Sequence, residues 1–506
     1  MSTVPTPVSD PAAPAAPALT GALPWPVCGP SDAEVRARAR SLAAHVRARP
    51  GLDVGDLGLT LASDPPAGEH RAVVVGADRA ELLAGLDAVA DGREHDGVVR
   101  GAAPAAGPGP GVVMVFAGAG GQWRGMGGGL WDDSPVFRAS VRACAEAFAP
   151  YLDWSLVDVV RGRRGAASLN RVDVLQPALF TVMVSVAAVW RSFGVHPAAV
   201  VGHSQGEIAA AYVAGALSLP DAARVVARRS RVIAETLAGH GAMLSVPLPA
   251  AQVRDRLAGW GDRLAVAAVN GPASTSVAGA PDAVEELFSR LVDDRVRVAR
   301  IVADFAAHSA QVAAVRRPLL AAVGDPRPRR TDVVFCSTVT GGVLDAAALD
   351  AEYWYDNLRR PVEFDRAVRT LLGLGFTTFV EPSPHPLLTA AVEEIGRDVG
   401  VGVAAVGSLR MGESDARRML ASLAAAQVRG VPVDWTPAFP GCARVDLPTA
   451  AAGDRRPGPA SDTPFWRAVA RGDLAGALGV VLPAQRWRQR HAGEEPAAPD
   501  SPAAAR

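Results

Sequence analysis

Lysine is absent from the 506 residues, so arginine supplies every basic side chain other than histidine. Lys+Arg 51 against Asp+Glu 52 leaves a formal net charge of −1. With no bulk field of either sign, neither nucleic acid nor a membrane surface is an expected partner. Cysteine is equally scarce. Cys28, Cys144, Cys336 and Cys442 show no CxxC spacing, which argues against a zinc site and a disulfide scaffold and fits a reducing, cytoplasmic setting. Long hydrophobic runs are missing too: the longest apolar stretch, about Leu179 to Trp190, is too short to span a bilayer. Met1 to Pro24 has no basic segment ahead of an apolar core, so it does not read as a signal peptide. What is present is a hydrophobic fraction of 49% with 20% charged residues, the balance of a soluble globular protein. At about 150 residues per domain the length suggests roughly three compact units.

Pro/Ala-rich composition marks residues 1–23 as a disordered tail. Residues 24–102 read as a small α/β domain. In it, Val35, Ala39, Leu42 and Val46 recur at helical spacing behind a Ser31 or Asp32 cap, and a strand runs from Arg71 to Gly76. A Gly/Pro hinge separates it from residues 111–435, where strands alternate with helices as in a mostly parallel α/β sheet. Over about residues 242–302 the order becomes strand, helix, strand, strand, helix, strand. That is an inserted ferredoxin-like unit. Residues 436–506 lose periodicity apart from a weak helix near Thr463 to Leu478 and end in a second Pro/Ala-rich tail.

Gly202-His203-Ser204-Gln205-Gly206 matches G-x-S-x-G. A β run stops at the first glycine and a helix starts at the second, the strand–turn–helix setting in which this motif projects a serine nucleophile. Such a serine needs a base. His203 is adjacent, but neighbouring side chains on a sharp turn diverge. His308 follows the last strand of the inserted unit, where the chain returns to the main domain and can deliver an imidazole. The stretch Gly118 to Gly129 superficially suggests a dinucleotide loop, but the G-x-G-x-x-G spacing fails at Trp123.

Eight blocks carry a family resemblance: FAGAGGQW from Phe116, QPALF from Gln176, GHSQGE from Gly202, RSR from Arg229, NGP from Asn270, AHSAQ from Ala307, YWYDNLRRPV from Tyr353 and EPSPHP from Glu381. In this order, over about Val112 to Trp435, the chain resembles the acyltransferases of modular polyketide synthases and their malonyl-transacylase relatives. Residues 24–102 resemble the linker between a ketosynthase and such an acyltransferase. The fold implied is an α/β-hydrolase-like, parallel-sheet large subdomain with an inserted ferredoxin-like small subdomain, preceded by a small α/β linker domain. Ser204 then corresponds to the acylated nucleophile, His308 to its base and Arg229 to the guanidinium that holds the free carboxylate of a malonyl-type unit, which a planar fork bonds bidentately. Gln176 and Asn270 correspond to site-lining residues. The backbone N–H groups of Gln205 and Ala119 correspond to the oxyanion hole, and the backbone carbonyl of Glu363 to the group that orients the histidine.

The chain departs from the family at Ala119, where Pro-Gly-Gln-Gly is usual and Ala117-Gly118-Ala119-Gly120 stands here. A backbone donor survives the loss of the glutamine side chain. In the family the four residues ending at the histidine track the α-substituent, and here they are Phe305, Ala306, Ala307 and His308. Ala307 leaves open the space that phenylalanine fills in malonyl enzymes, so methylmalonyl is expected; Phe305 lacks the tyrosine hydroxyl of methylmalonyl enzymes, which keeps ethylmalonyl or another branched unit open. The resemblance implies transfer from an acyl-CoA to the phosphopantetheine thiol of an acyl carrier protein, with a ketosynthase as a further partner and no resident cofactor or metal. After Leu447 the usual linker motif is missing, and the stretch from Phe465 resembles the opening of a ketoreductase region, so a discrete enzyme acting in trans is expected. Two rival readings are an editing hydrolase of acyl thioesters and a docking remnant.

Overall fold

The computed structural model describes residues 18–63, 68–103 and 109–447. The expected tail over residues 1–17, most of the hinge and the weak helix near residue 463 lie outside the described residues.

The first layer is a three-stranded antiparallel sheet in the order β1-β2-β3, formed by β1 (Leu23–Gly29), β2 (His70–Gly76) and β3 (Val98–Ala102). Pro24 and Pro26 fit because β1 is an edge strand, where a missing N–H costs no central ladder bond. The helix Asp32–Ala48 starts where the Ser31 side chain accepts from the N–H of Glu34, and it buries Val35, Ala39, Leu42 and Val46. The expected N-terminal tail is too long by several residues. Ala18 and Leu19 are each 2% exposed, and Ser134 Oγ donates to the Ala18 carbonyl at 2.7 Å. Small apolar side chains can be buried where low-complexity composition alone suggests disorder.

The large sheet takes β4 (Val112–Phe116) and β5 (Pro197–Gly202) from the first half of the main domain. Between them runs the 21-residue helix Val172–Ser192, which is long and apolar enough to cross a bilayer, contrary to the sequence estimate. Its apolar window is 83% buried within the protein, which accounts for its hydrophobicity.

The inserted unit follows as β6 (Ala242–Val246), β7 (Leu264–Gly271), β8 (Ser274–Gly279) and β9 (Ala299–Ile301), an antiparallel sheet in the order β7-β8-β6-β9. That is the ferredoxin-like order, with the first and third strands central. The helices Ala250–Leu257 and Pro281–Asp293 close its own core of Leu244, Val253, Leu257, Val277, Leu287 and Leu291.

The chain then returns to the large sheet with β10 (Val334–Ser337), β11 (Gly342–Val343), β12 (Thr378–Glu381) and β13 (Ala404–Gly407), giving the order β11-β10-β5-β4-β12-β13. All neighbours are parallel except β11, a short antiparallel edge. Continuous burial of Val112 to Phe116 and of Ala199 to Gly202 reflects a sheet covered on both faces. In such sheets ligands bind beyond the carboxyl ends of the strands, and the G-x-S-x-G turn leaves the end of central β5.

Candidate active site

Two steric facts fix the turn after β5. A Cβ at Gly206 would overlap the carbonyl oxygen of Phe116, and one at Gly202 would overlap the backbone nitrogen of Glu207. Only glycine allows strand, turn and helix to pass this close. The strain falls on Ser204, with φ 55°. Among the described residues only three non-glycine residues have positive φ, and two of them are Ser204 and His308, the latter at 60°. Left-handed backbone at two partners of one hydrogen bond is strain concentrated at a working site.

Ser204 Oγ lies 2.8 Å from His308 Nε2, across 104 residues of sequence. His308 Nδ1 lies 2.8 Å from the carbonyl oxygen of Arg360. A carbonyl only accepts, so Nδ1 carries the proton and Nε2 is left to accept from the serine. The His308 backbone N–H donates to the Leu358 carbonyl at 2.9 Å, so the end of the helix Ala351–Arg359 holds both ring and main chain. This arrangement can take the proton from Ser204 as its oxygen attacks a carbonyl carbon.

Arg229, on the inner face of the helix Leu219–Thr236, is 1% exposed. Nη1 donates to Gln176 Oε1 and Nη2 to Asn357 Oδ1, each at 3.2 Å. Nε has no partner, and among the described residues no carboxylate lies within ion-pair distance of the guanidinium. Burial pulls its pKa down to about 10, with Glu207 acting the other way, so it remains a cation at neutral pH. Its neighbours Arg228 and Arg231 are only half-buried: Arg228 stacks on Tyr151 at 5.2 Å and Arg231 donates to the Tyr151 carbonyl.

A model of the family described as the acyl transferase domain matches residues 113–433. The chain belongs to the acyl transferase domain family. It is 50% identical over 463 residues to a mycoketide-CoA synthase from Mycobacterium tuberculosis, covering 91% of this chain and 11% of that synthase. It is 51% identical over 451 residues to a spectinabilin polyketide synthase system protein from Streptomyces orinoci, covering 88% and 12% respectively. The chain thus spans about a tenth of the length of these relatives. Among solved structures it is similar to the acyltransferase domain from module 8 of the salinomycin polyketide synthase, with 48% identity and a TM-score of 0.80, covering 83% of this chain and 99% of that one.

Within this acyl transferase domain one expected residue is displaced. The carbonyl on His308 belongs to Arg360 and not to Glu363, whose own N–H donates to Thr338 at 2.7 Å. Three residues earlier the chain is still leaving the helix, and its carbonyl can still point back at the ring. Asn270 does not reach Ser204. Its Oδ1 lies 2.8 Å from His203 Nε2 and its Nδ2 donates to Ser276 at 3.3 Å. It sits where the β7–β8 register shifts between Val269 and Gly271, an irregularity of the kind that re-aims a side chain.

Gly118 packs against the nucleophile turn, since a Cβ there would lie 3.7 Å from Ser204 Cβ. Among the described residues neither the Gln205 N–H nor the Ala119 N–H has a backbone acceptor. Phe305 and Ala307 pack on the large-subdomain core, whereas Ala306 packs on Ala267 and Ala278 of the small one. The segment before His308 therefore runs along the seam between subdomains.

Two residues absent from the sequence reading complete the site. Glu207, fully buried, accepts from Tyr353 Oη at 2.7 Å, from Asn357 Nδ2 at 2.8 Å and from the Thr338 N–H. Asn357 itself is 2% exposed. Their signal was a glutamate in the apolar run Gly206 to Val213, and an asparagine on the buried face with Trp354, Tyr355 and Leu358.

Burial pushes the His308 imidazole down from 6.5 to about 3, and the charge of Arg229 adds to the effect. Only the neutral ring can accept a proton from Ser204, so that capacity is lost only as pH falls towards that value. The rate of Ser204 acylation, followed by rapid quench, is expected to show no histidine limb between pH 8 and about 5. An acid limb centred near 6.5 would contradict this burial.

Proposed function

We propose that this acyl transferase domain loads an α-branched malonyl-type unit, methylmalonyl in the first instance, from CoA onto the phosphopantetheine thiol of an acyl carrier protein. Ser204 attacks the thioester carbonyl while His308 takes its proton, and the thiolate of CoA leaves with that proton. The carrier thiol, giving its proton to His308, then attacks the acyl-serine ester, and the Ser204 oxygen leaves and takes that proton back, which restores the serine. The N–H groups of Gln205 and Ala119 receive the oxyanion in both steps. No resident cofactor or metal enters this scheme, a ketosynthase is a further partner, and the reaction belongs to polyketide assembly in the cytoplasm.

The observation that carries the reading is Arg229. A buried guanidinium hydrogen-bonded only to two neutral amide oxygens, with Glu207 as a nearby charge but no carboxylate in direct contact, lacks an ion-pair partner of its own, and an incoming dicarboxylic acyl group supplies one. An editing hydrolase has no use for such a group. The test is to mix the protein with a panel of acyl-CoAs and a free carrier protein. Methylmalonyl transfer to the carrier is expected; turnover to the free acid, or no reaction with any thioester, would contradict the proposal.

Ala307, 6% exposed, supports the branched substituent. Ala307→Phe is expected to shift competition between methylmalonyl-CoA and malonyl-CoA towards malonyl by about 10-fold or more, within the range that a methyl group is worth in a hydrophobic pocket. Unchanged preference would remove Ala307 from the selectivity argument.

A further inference from the structure

The buried polar groups around Arg229 converge on one side chain. Asn357 Nδ2 donates to the Ser204 carbonyl oxygen at 3.0 Å and to Glu207 Oε2 at 2.8 Å, while Oδ1 accepts from Arg229 at 3.2 Å. Both amide hydrogens and the oxygen are used. Turning the amide over would set its NH2 against the guanidinium and its oxygen against a carbonyl and a carboxylate, so the network admits one orientation. Glu207 is itself fixed by Tyr353 and Thr338, and Tyr353 reaches Ser337 at 2.8 Å at the end of β10.

We propose that Asn357 is a positioning residue that ties the Arg229 carboxylate clamp to the nucleophile turn, with Glu207 as its buried anchor. The inference rests on the clamp reading of Arg229. A malonyl-type group must present its thioester carbonyl to Ser204 and its free carboxylate to Arg229 at the same time. A single rigid amide between the two fixes their separation. Its neutrality has a consequence of its own: it orients the guanidinium without neutralising it, so the charge stays available to substrate. A carboxylate at position 357 would pair with Arg229 permanently and compete with that substrate.

The test compares acylation of Ser204 by methylmalonyl-CoA and by propionyl-CoA, which share the acyl skeleton and differ in the free carboxylate. In Asn357→Asp the ratio of the two rates is expected to fall about 10-fold or more, chiefly through KM for methylmalonyl-CoA. Asn357→Ser, smaller and neutral, keeps the question open to measurement if the aspartate destabilises the fold, and its ratio is expected to fall in the same direction. A role limited to stability would lower both rates by the same factor, and an unchanged ratio in folded variants overturns the proposal. Arg229→Ala serves as the control. If it too leaves the ratio unchanged, the clamp reading has failed; if it lowers the ratio and the Asn357 variants do not, the tie alone is wrong.

Discussion

Replacing His308 with alanine is expected to slow acylation of Ser204 by about 10⁴-fold, with little change in melting temperature. The reason is that no second base stands by. His203 is engaged with Asn270, and among the described residues only His308 hydrogen-bonds Ser204 Oγ. The backbone N–H of residue 308, which ties this segment to Leu358, survives the change, so the fold should persist. Alanine also carries a Cβ, so the substitution does not relieve the strain of the left-handed φ at this position. The measurement is CoA release in the first turnover. A loss of less than about 10-fold would mean that the imidazole only packs against the serine.

Arg229→Ala is expected to lower acylation by methylmalonyl-CoA by about 10²-fold, or about 2.7 kcal/mol, while acylation by propionyl-CoA holds or rises. Removing the guanidinium deletes the counter-charge for the substrate's carboxylate and leaves Gln176 and Asn357 facing a small void. It also relieves a burial cost, since an unpaired cation in the interior is expensive. Thermal stability is therefore expected to fall little, and the small size of that fall separates this site from an ordinary structural arginine. Equal losses with both acyl-CoAs would refute the clamp.

How much of this was legible beforehand follows from what each feature depends on. The parallel sheet and the ferredoxin-like insertion were readable because their apolar runs and helical spacings are local, and the strand order of the insertion follows from its βαββαβ sequence. Strand β1 was not, since two prolines conceal an edge strand that its partner β2 defines. Ser204 was legible through steric demand: glycines at 202 and 206 mark a turn that no other residue permits. Arg360 was not, because any residue can offer a backbone carbonyl and its identity leaves no trace in composition. Asn270 illustrates a third case, a polar residue correctly located in the neighbourhood but committed to His203 by a local register shift. Glu207 and Asn357 depend on contacts across 150 residues, beyond the reach of any local pattern.

The central claim is that the hydroxyl of Ser204 becomes an acyl ester with a dicarboxylic group. Intact-mass measurement of the protein after brief mixing with methylmalonyl-CoA tests it most directly. The account predicts a single added methylmalonyl group that is absent from Ser204→Ala and is discharged when a carrier protein thiol is supplied. An unmodified mass, or an adduct that persists in Ser204→Ala, would contradict it.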